Sequence, residues 1–217
     1  MTDSQVRVWD PLVRLFHWTL VAAFIIAYVT GEEDNMVHIY AGYYILGLLV
    51  FRLLWGFVGT RYARFSDFIY SPRRTVQYLK ELFAGRPAHY LGHNPAGGWM
   101  IVMLLVSLAL TTYSGLKYYG LDGHGPLAAG GAEIVLVAPA RADDERHEVH
   151  AGHDDDDYGA AEGEHSPEEE FWEELHEVFA NLTVLLIVIH VAGVVVSSRM
   201  HGENLVRAMI TGKKNAP

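Results

Sequence analysis

The sequence predicts an all-α fold: a four-helix transmembrane bundle with both termini cytoplasmic and a long acidic outer loop between helices 3 and 4. Three observations lead there. The 217 residues are 51% hydrophobic with a mean hydropathy of +0.13, more apolar than an ordinary soluble domain. The apolar residues are gathered into four blocks instead of being spread along the chain. Basic residues collect on one set of connecting segments, the other two loops holding only Lys117, Arg141 and Arg146. Strands are excluded within the blocks, because open sheet edges cannot be satisfied in lipid. One domain, residues 1–217, accounts for the chain, with residues 117–174 inserted as the outer loop.

The first span is expected from Val13 to Thr30 and the second from His38 to Gly59. The third is expected from Gly98 to Leu116 and the fourth from Leu175 to Ser198. Each block is roughly 18–24 residues, enough to cross a hydrocarbon core about 30 Å thick as a helix. The N-terminal MTDSQVRVWDP lacks the basic region of a signal peptide, and no small-residue cleavage site follows the first block. Arg7 and Arg14 precede span one. The loop after span two carries Arg61, Arg64, Arg73, Arg74, Lys80 and Arg86, and the tail carries Arg199, Arg207, Lys213 and Lys214. The positive-inside rule therefore puts both termini and the 60–97 loop in the cytoplasm. The chain reads as a multi-pass protein of a bacterial inner membrane, with nothing that points to nucleic acid.

Within the inner loop, Ser71-Pro72 reads as an N-cap followed by Pro at the first helical position. Val76, Leu79, Leu82 and Phe83 recur at helical spacing, with Arg73, Arg74 and Lys80 among them. That pattern predicts a short amphipathic helix at the inner interface, ended by Gly85.

Cysteine is absent, which excludes disulfides, thiolate metal sites, iron–sulfur clusters and covalent c-type haem. Histidine is abundant, with 12 copies. Four fall in or at the edge of spans: His17, His38, His176 and His190. Metal-binding side chains are costly in lipid, so each needs a reason. His176 and His190 stand 14 residues apart on the fourth span. Fourteen helical steps fall about 40° short of four turns, so both face nearly one way, separated by about 21 Å. His17 near the inner end of span one and His38 at the outer start of span two give the same two depths. The pairs that result are His17 with His190 inside and His38 with His176 outside.

Two facing imidazoles at each of two depths suit bis-histidine ligation of two b-type haems. Zinc or copper would gather three or four ligands at one point instead. Gly42, four residues after His38, and Gly193, three after His190, offer small surfaces to a porphyrin or, equally, to a neighbouring helix. Arg52 follows His38 by 14 residues and therefore lies about 21 Å deeper on the same face. Its guanidinium either pairs with a haem propionate or bound anion, or snorkels to the inner surface. Arg14, one turn from His17, is a second candidate of the same kind.

The segments RLFHW (Arg14–Trp18) and HIYAGY (from His38), the run from Ser71 to Gly98 and the His176/His190 pair together resemble the bacterial cytochrome b561 superfamily. They are most similar to the b-type cytochrome subunits of nickel–iron hydrogenases and their stand-alone relatives. The resemblance covers all four spans and the inner loop, but not the outer loop from Gly120 to Pro167. It implies a dihaem cytochrome passing electrons between a periplasmic redox partner, such as a cytochrome c or dehydrogenase subunit, and the quinone pool. The matched histidines would be axial ligands of two haem b groups. Asn94 and Gly97, with His93 adjacent, match the place where related subunits hold a quinone. Asn94-Pro95 also reads simply as the start of the third helix.

Residues 143–170 hold 13 acids and one arginine, more charge than the chain's net −10, so the remainder is net positive. Such a segment cannot build its own core. Three readings stand: a solvated loop, a landing site for a basic redox partner, or a divalent-metal site using His147, His150, His153 and His165. Upstream, Glu133 to Pro139 is the one apolar patch of the loop. Two other functions remain in play. One is a stand-alone superoxide:quinone oxidoreductase, which the acidic loop disfavours because it repels anions. The other is a non-redox membrane metal-ion binder or carrier.

Overall fold

The computed structural model describes residues 5–31, 35–128 and 166–215. In chain order these form β1 (Gln5–Arg7), α1 (Pro11–Val29), α2 (Met36–Val58), α3 (Phe65–Phe68), α4 (Pro72–Phe83), α5 (Pro95–Leu121), α6 (Pro167–His201), α7 (Leu205–Thr211) and β2 (Lys213–Asn215). A short 3-10 turn, Arg61–Ala63, precedes α3. The four apolar blocks are α1, α2, α5 and α6, each long and apolar enough to cross a membrane. The fold is all-α apart from one short two-stranded ribbon.

Helix α6 starts eight residues before the expected Leu175, and its 35 residues span about 52 Å. The reason is a capping box. The backbone N–H of Glu169 donates to Ser166 Oγ at 3.2 Å, and the backbone N–H of Ser166 donates to Glu169 Oε2 at 2.8 Å. Pro167 fills the first helical position, where no N–H is needed. Glu168, Glu169 and Glu170 complement the positive end of the helix dipole. Helix α5 likewise outruns its expected end at Leu116 by continuing to Leu121. Helix α4 runs as expected from Pro72, and Gly85, at φ +74°, ends it. Ser71 occupies the cap position in an extended conformation without making a side-chain cap bond.

The chain divides into two units, Met1–Thr112 with Glu177–Pro217, and Tyr113–His176. In the first, α1 and α2 lie against one another along their length. Ala23 and Ala27 of α1 meet Ala41, Ile45 and Leu49 of α2, with Leu108 of α5 closing the cluster. Alanine lets backbones approach where lipid supplies no hydrophobic drive for association. Among the described residues no other pair of long helices makes comparably close backbone contact. Helices α5 and α6 are joined within this unit through a buried hydroxyl pair, Ser107 Oγ and Thr183 Oγ1 at 2.7 Å.

The end of this unit that carries the termini is held by long-range polar contacts. Asp10 Oδ1 accepts from the Val13 N–H at 2.9 Å and so caps α1. Its Oδ2 accepts from Trp55 Nε1 at 3.2 Å and from the Thr60 hydroxyl, tying the start of α1 to the end of α2. Burial opposes ionisation of Asp10, but the hydrogen bonds from Thr60, Val13, Trp55 and Leu12 together hold its carboxyl below its ordinary value. β1 pairs antiparallel with β2, Gln5 opposite Asn215, and the Val8 N–H donates to Gly212 O at 2.9 Å. The first and last described residues therefore sit at one end of the unit. Helix α3 plugs the same end. Phe68 is fully buried, and a Cβ at Gly98 would fall 2.0 Å from the Phe68 carbonyl oxygen.

In the second unit the last turns of α5 meet the first turns of α6. Tyr113 and Trp172 pack edge to face at 5.8 Å, and Lys117 lies 5.9 Å over the Trp172 ring. The apolar patch 133–139 and the histidines of the acidic loop lie outside the described residues.

Candidate functional site

Each of the four span histidines is half-buried on a long helix: His17 on α1, His38 on α2, His176 and His190 on α6. Their surroundings show how each ring is held. His38 Nδ1 lies 2.8 Å from the carbonyl oxygen of Ala27. With that nitrogen donating, Nε2 carries the lone pair, the tautomer an axial ligand requires. His176 Nδ1 lies 3.3 Å from Ser114 Oγ in the second unit. Gly115 makes room for the His176 ring, since a Cβ there would fall 2.8 Å from its Cε1. His17 Nδ1 is buried and has no hydrogen-bond partner among the described residues. His17 and His190, on α1 and α6, lie within electrostatic reach of one another.

These features fit a large flat prosthetic group. A buried ring nitrogen without a protein partner calls for one from outside the polypeptide. Gly42 and Gly193, on the faces of His38 and His190, look onto open space: an added Cβ at either meets no atom within 4 Å. They do not serve as close-packing points for a neighbouring helix, the second role the sequence allowed them. Among the described residues no cluster of three or more His, Asp or Glu is gathered for a metal ion.

A second group of side chains lies at the end of the first unit that carries the β1/β2 ribbon. Arg52 is only 3% exposed, so its guanidinium does not reach the surface. It lies 5.0 Å from the Phe65 ring centroid and 5.6 Å from that of Phe68, and its Nη1 has no hydrogen-bond partner among the described residues. Phe65 reaches it because Gly56 presents no side chain; a Cβ there would lie 2.0 Å from the Phe65 ring. His93 is held between the tilted rings of Trp9, at 4.5 Å, and Phe68, at 4.8 Å. Burial pushes the His93 imidazole down to about 3, and the charges of Arg52, His190 and Lys214 push the same way. It is therefore neutral at ordinary pH, with Nδ1 buried and without a partner among the described residues. Asn94 Oδ1 accepts from the Gly97 N–H at 2.7 Å, so this pair forms the helix start that the sequence also offered. Arg14 donates from its guanidinium to the carbonyl of Ile210, at the end of α7, and its Nε is buried and unpartnered among the described residues.

Sequence reasoning had no hold on Ser114, Gly115, Trp9, Phe65 or Phe68. The one local signal was Gly115, a glycine inside an apolar helix, which often marks a close approach.

A family model described as prokaryotic cytochrome b561 matches residues 8–212. A probable Ni/Fe-hydrogenase B-type cytochrome subunit of Bradyrhizobium diazoefficiens is 29% identical over 150 residues, 55% of this chain and 60% of that protein. Proteins of the same description from Azotobacter vinelandii and Rhizobium leguminosarum bv. viciae are 26% and 27% identical, over 60% and 62% of their lengths. The chain thus spans about three-fifths of the relatives it matches. No solved structure matches.

Proposed function

Since the chain belongs to the prokaryotic cytochrome b561 family and is a multi-pass b-type cytochrome of a bacterial inner membrane, we propose that it holds two haem b groups and passes electrons between a periplasmic redox protein and quinone. The observation that carries this is the distribution of the four histidines. Two stand on the tight α1/α2 hairpin and two on the single helix α6, 14 residues apart. His17 and His190 are the proposed inner pair, supported by their mutual electrostatic reach and the unpartnered Nδ1 of His17. His38 and His176 are the proposed outer pair, which rests on the sequence spacing.

Bound haem b supplies one-electron chemistry at each pair. The chain's own part is to fix the His38 tautomer through Ala27 O, to hold the His176 ring beside Ser114 Oγ, and to supply charge. Arg52, buried with no carboxylate within 4 Å among the described residues, is the proposed partner of an inner propionate. Neutral His93, held between Trp9 and Phe68, is the proposed donor or acceptor for a quinone oxygen, with the Asn94–Gly97 turn beside it. The periplasmic partner is proposed to be a hydrogenase or another dehydrogenase, in keeping with the relatives' names.

A reduced-minus-oxidised spectrum of the purified chain with haem counting tests the reading. Two haems per chain with b-type bands are expected. One haem, or no reducible b-type absorbance, would overturn it.

A further inference from the structure

Beyond the last apolar turn of α6 the chain forms a feature that electron transfer does not use. A cavity of about 600 Å³ opens at the terminus-bearing end of the first unit, lined by Glu203, Asn204, Arg207, Thr211, Lys213 and Lys214 among others. Its floor is a buried ion pair. Lys214 Nζ lies 3.0 Å from Glu203 Oε2 and donates to the Tyr90 carbonyl at 3.1 Å, while Glu203 Oε1 lies 3.1 Å from His89 Nε2. Glu203 is thereby committed to Lys214 and His89. Arg207 and Lys213 meet no carboxylate within 4 Å among the described residues. The cavity therefore presents two uncompensated cations.

Its depth is set by α6. The apolar run ends at Ser198, and Gly202 at the cavity edge is four residues on, about 6 Å along the axis. That is headgroup depth beside a hydrocarbon edge. Helix α7 has the matching two faces. Val206 and Ile210, one turn apart, are 51% and 59% exposed, while Arg207 and Thr211 line the cavity. Apolar side chains next to paired cations at this depth match a diacyl phosphodiester in both its parts.

We propose that this cavity binds the headgroup of an anionic phospholipid, its phosphodiester held by Arg207 and Lys213 and its acyl chains lying against Val206 and Ile210. The site needs no haem and does not depend on the electron-transfer reading.

The test uses the full chain in neutral detergent, with phosphatidylglycerol, phosphatidylcholine or inorganic phosphate as the probe and retained lipid read by native mass spectrometry. Phosphatidylglycerol is expected to be retained over phosphatidylcholine and not displaced by millimolar phosphate. The Arg207→Gln/Lys213→Gln variant is expected to bind it about thirtyfold more weakly, a factor of about five per surface cation. Arg73→Gln/Lys80→Gln on α4, neither of which lines the cavity, is expected to bind as the unaltered chain does. Circular dichroism and the melting temperature establish that each variant is folded. Equal retention of the two lipids, or equal loss in the α4 variant, would show surface charge alone and overturn the proposal. Displacement by inorganic phosphate would overturn the lipid assignment in favour of a soluble anion.

Discussion

His38 Nδ1 is bonded to the Ala27 carbonyl oxygen at 2.8 Å, across the hairpin formed by α1 and α2. Because α1 ends at Val29, this bond fixes the orientation of the His38 ring from the helix before it. On the proposed pairing, His38→Ala and His176→Ala each remove the same haem. The double variant then loses no more than either single one. His17→Ala and His190→Ala each remove the other haem. Haem-to-protein ratios near one for all four single variants are expected; loss of both haems or neither in any of them would undo the pairs.

Gly42 separates a haem cradle from a packing glycine. No atom lies within 4 Å of a Cβ built there, so Gly42→Leu meets no protein obstacle. Helix propensity even favours it, glycine costing about 1 kcal/mol in a helix interior. The apo chain should melt at or above its usual temperature while haem content falls. Unchanged haem content would show that the space belongs to lipid.

Arg52 carries a charge that an anion must answer. If Arg52 answers a propionate of the proposed inner haem, Arg52→Met removes a buried cation beside it and favours the more positive, oxidised iron. The potential of one haem should fall by about 60 mV or more, a tenfold change for a one-electron couple. Arg52→Lys should recover most of the potential, since the charge is kept even though the guanidinium fork is lost. A redox titration in which neither haem moves would place the anion elsewhere.

Asp10→Ala removes the cap of α1 along with the Trp55 and Thr60 bonds, and should cost about 1–2 kcal/mol near pH 7. The folded carboxyl titrates below its ordinary value. Its contribution is therefore full above that value and fades as pH falls through the lowered one. Melting curves should show the two proteins converging in acid. A constant gap would mean that the charge is not what the bonds hold.

His93 supplies the opposite case. The unfolded chain takes up a proton near 6.5, whereas the folded imidazole does so only near about 3. Between those values the unfolded state binds more protons, so stability falls as pH drops through that window. His93→Gln should flatten the melting-temperature slope between pH 6.5 and 4. The same slope in both proteins would show that His93 is hydrated.

The four spans and the α4 helix were legible because hydropathy and helical period are local and repeat. Pro72 and Gly85 bound α4 as their chemistry dictates. The start of α6 was not read, because the acids of the Ser-Pro-Glu-Glu run at 166 looked like part of the loop and not like a capping box. The cluster around Arg52 was not legible. Arg52 meets Phe65 and Phe68 only because Gly56 and Gly98 let a four-residue helix settle there. Three-residue strands such as β1 and β2 carry no period to read, and Asp10 finds Thr60 across 50 residues.

The tight α1/α2 hairpin also bears on biosynthesis. It is complete by residue 58 and contains one histidine of each proposed pair, whereas α6 begins only at residue 167. A chain still emerging from the ribosome thus carries two half-sites and no finished one for most of its synthesis. Both prosthetic groups are then captured late and together, when the final helix inserts. A stalled chain that ends before α6 should be inserted in the membrane and colourless.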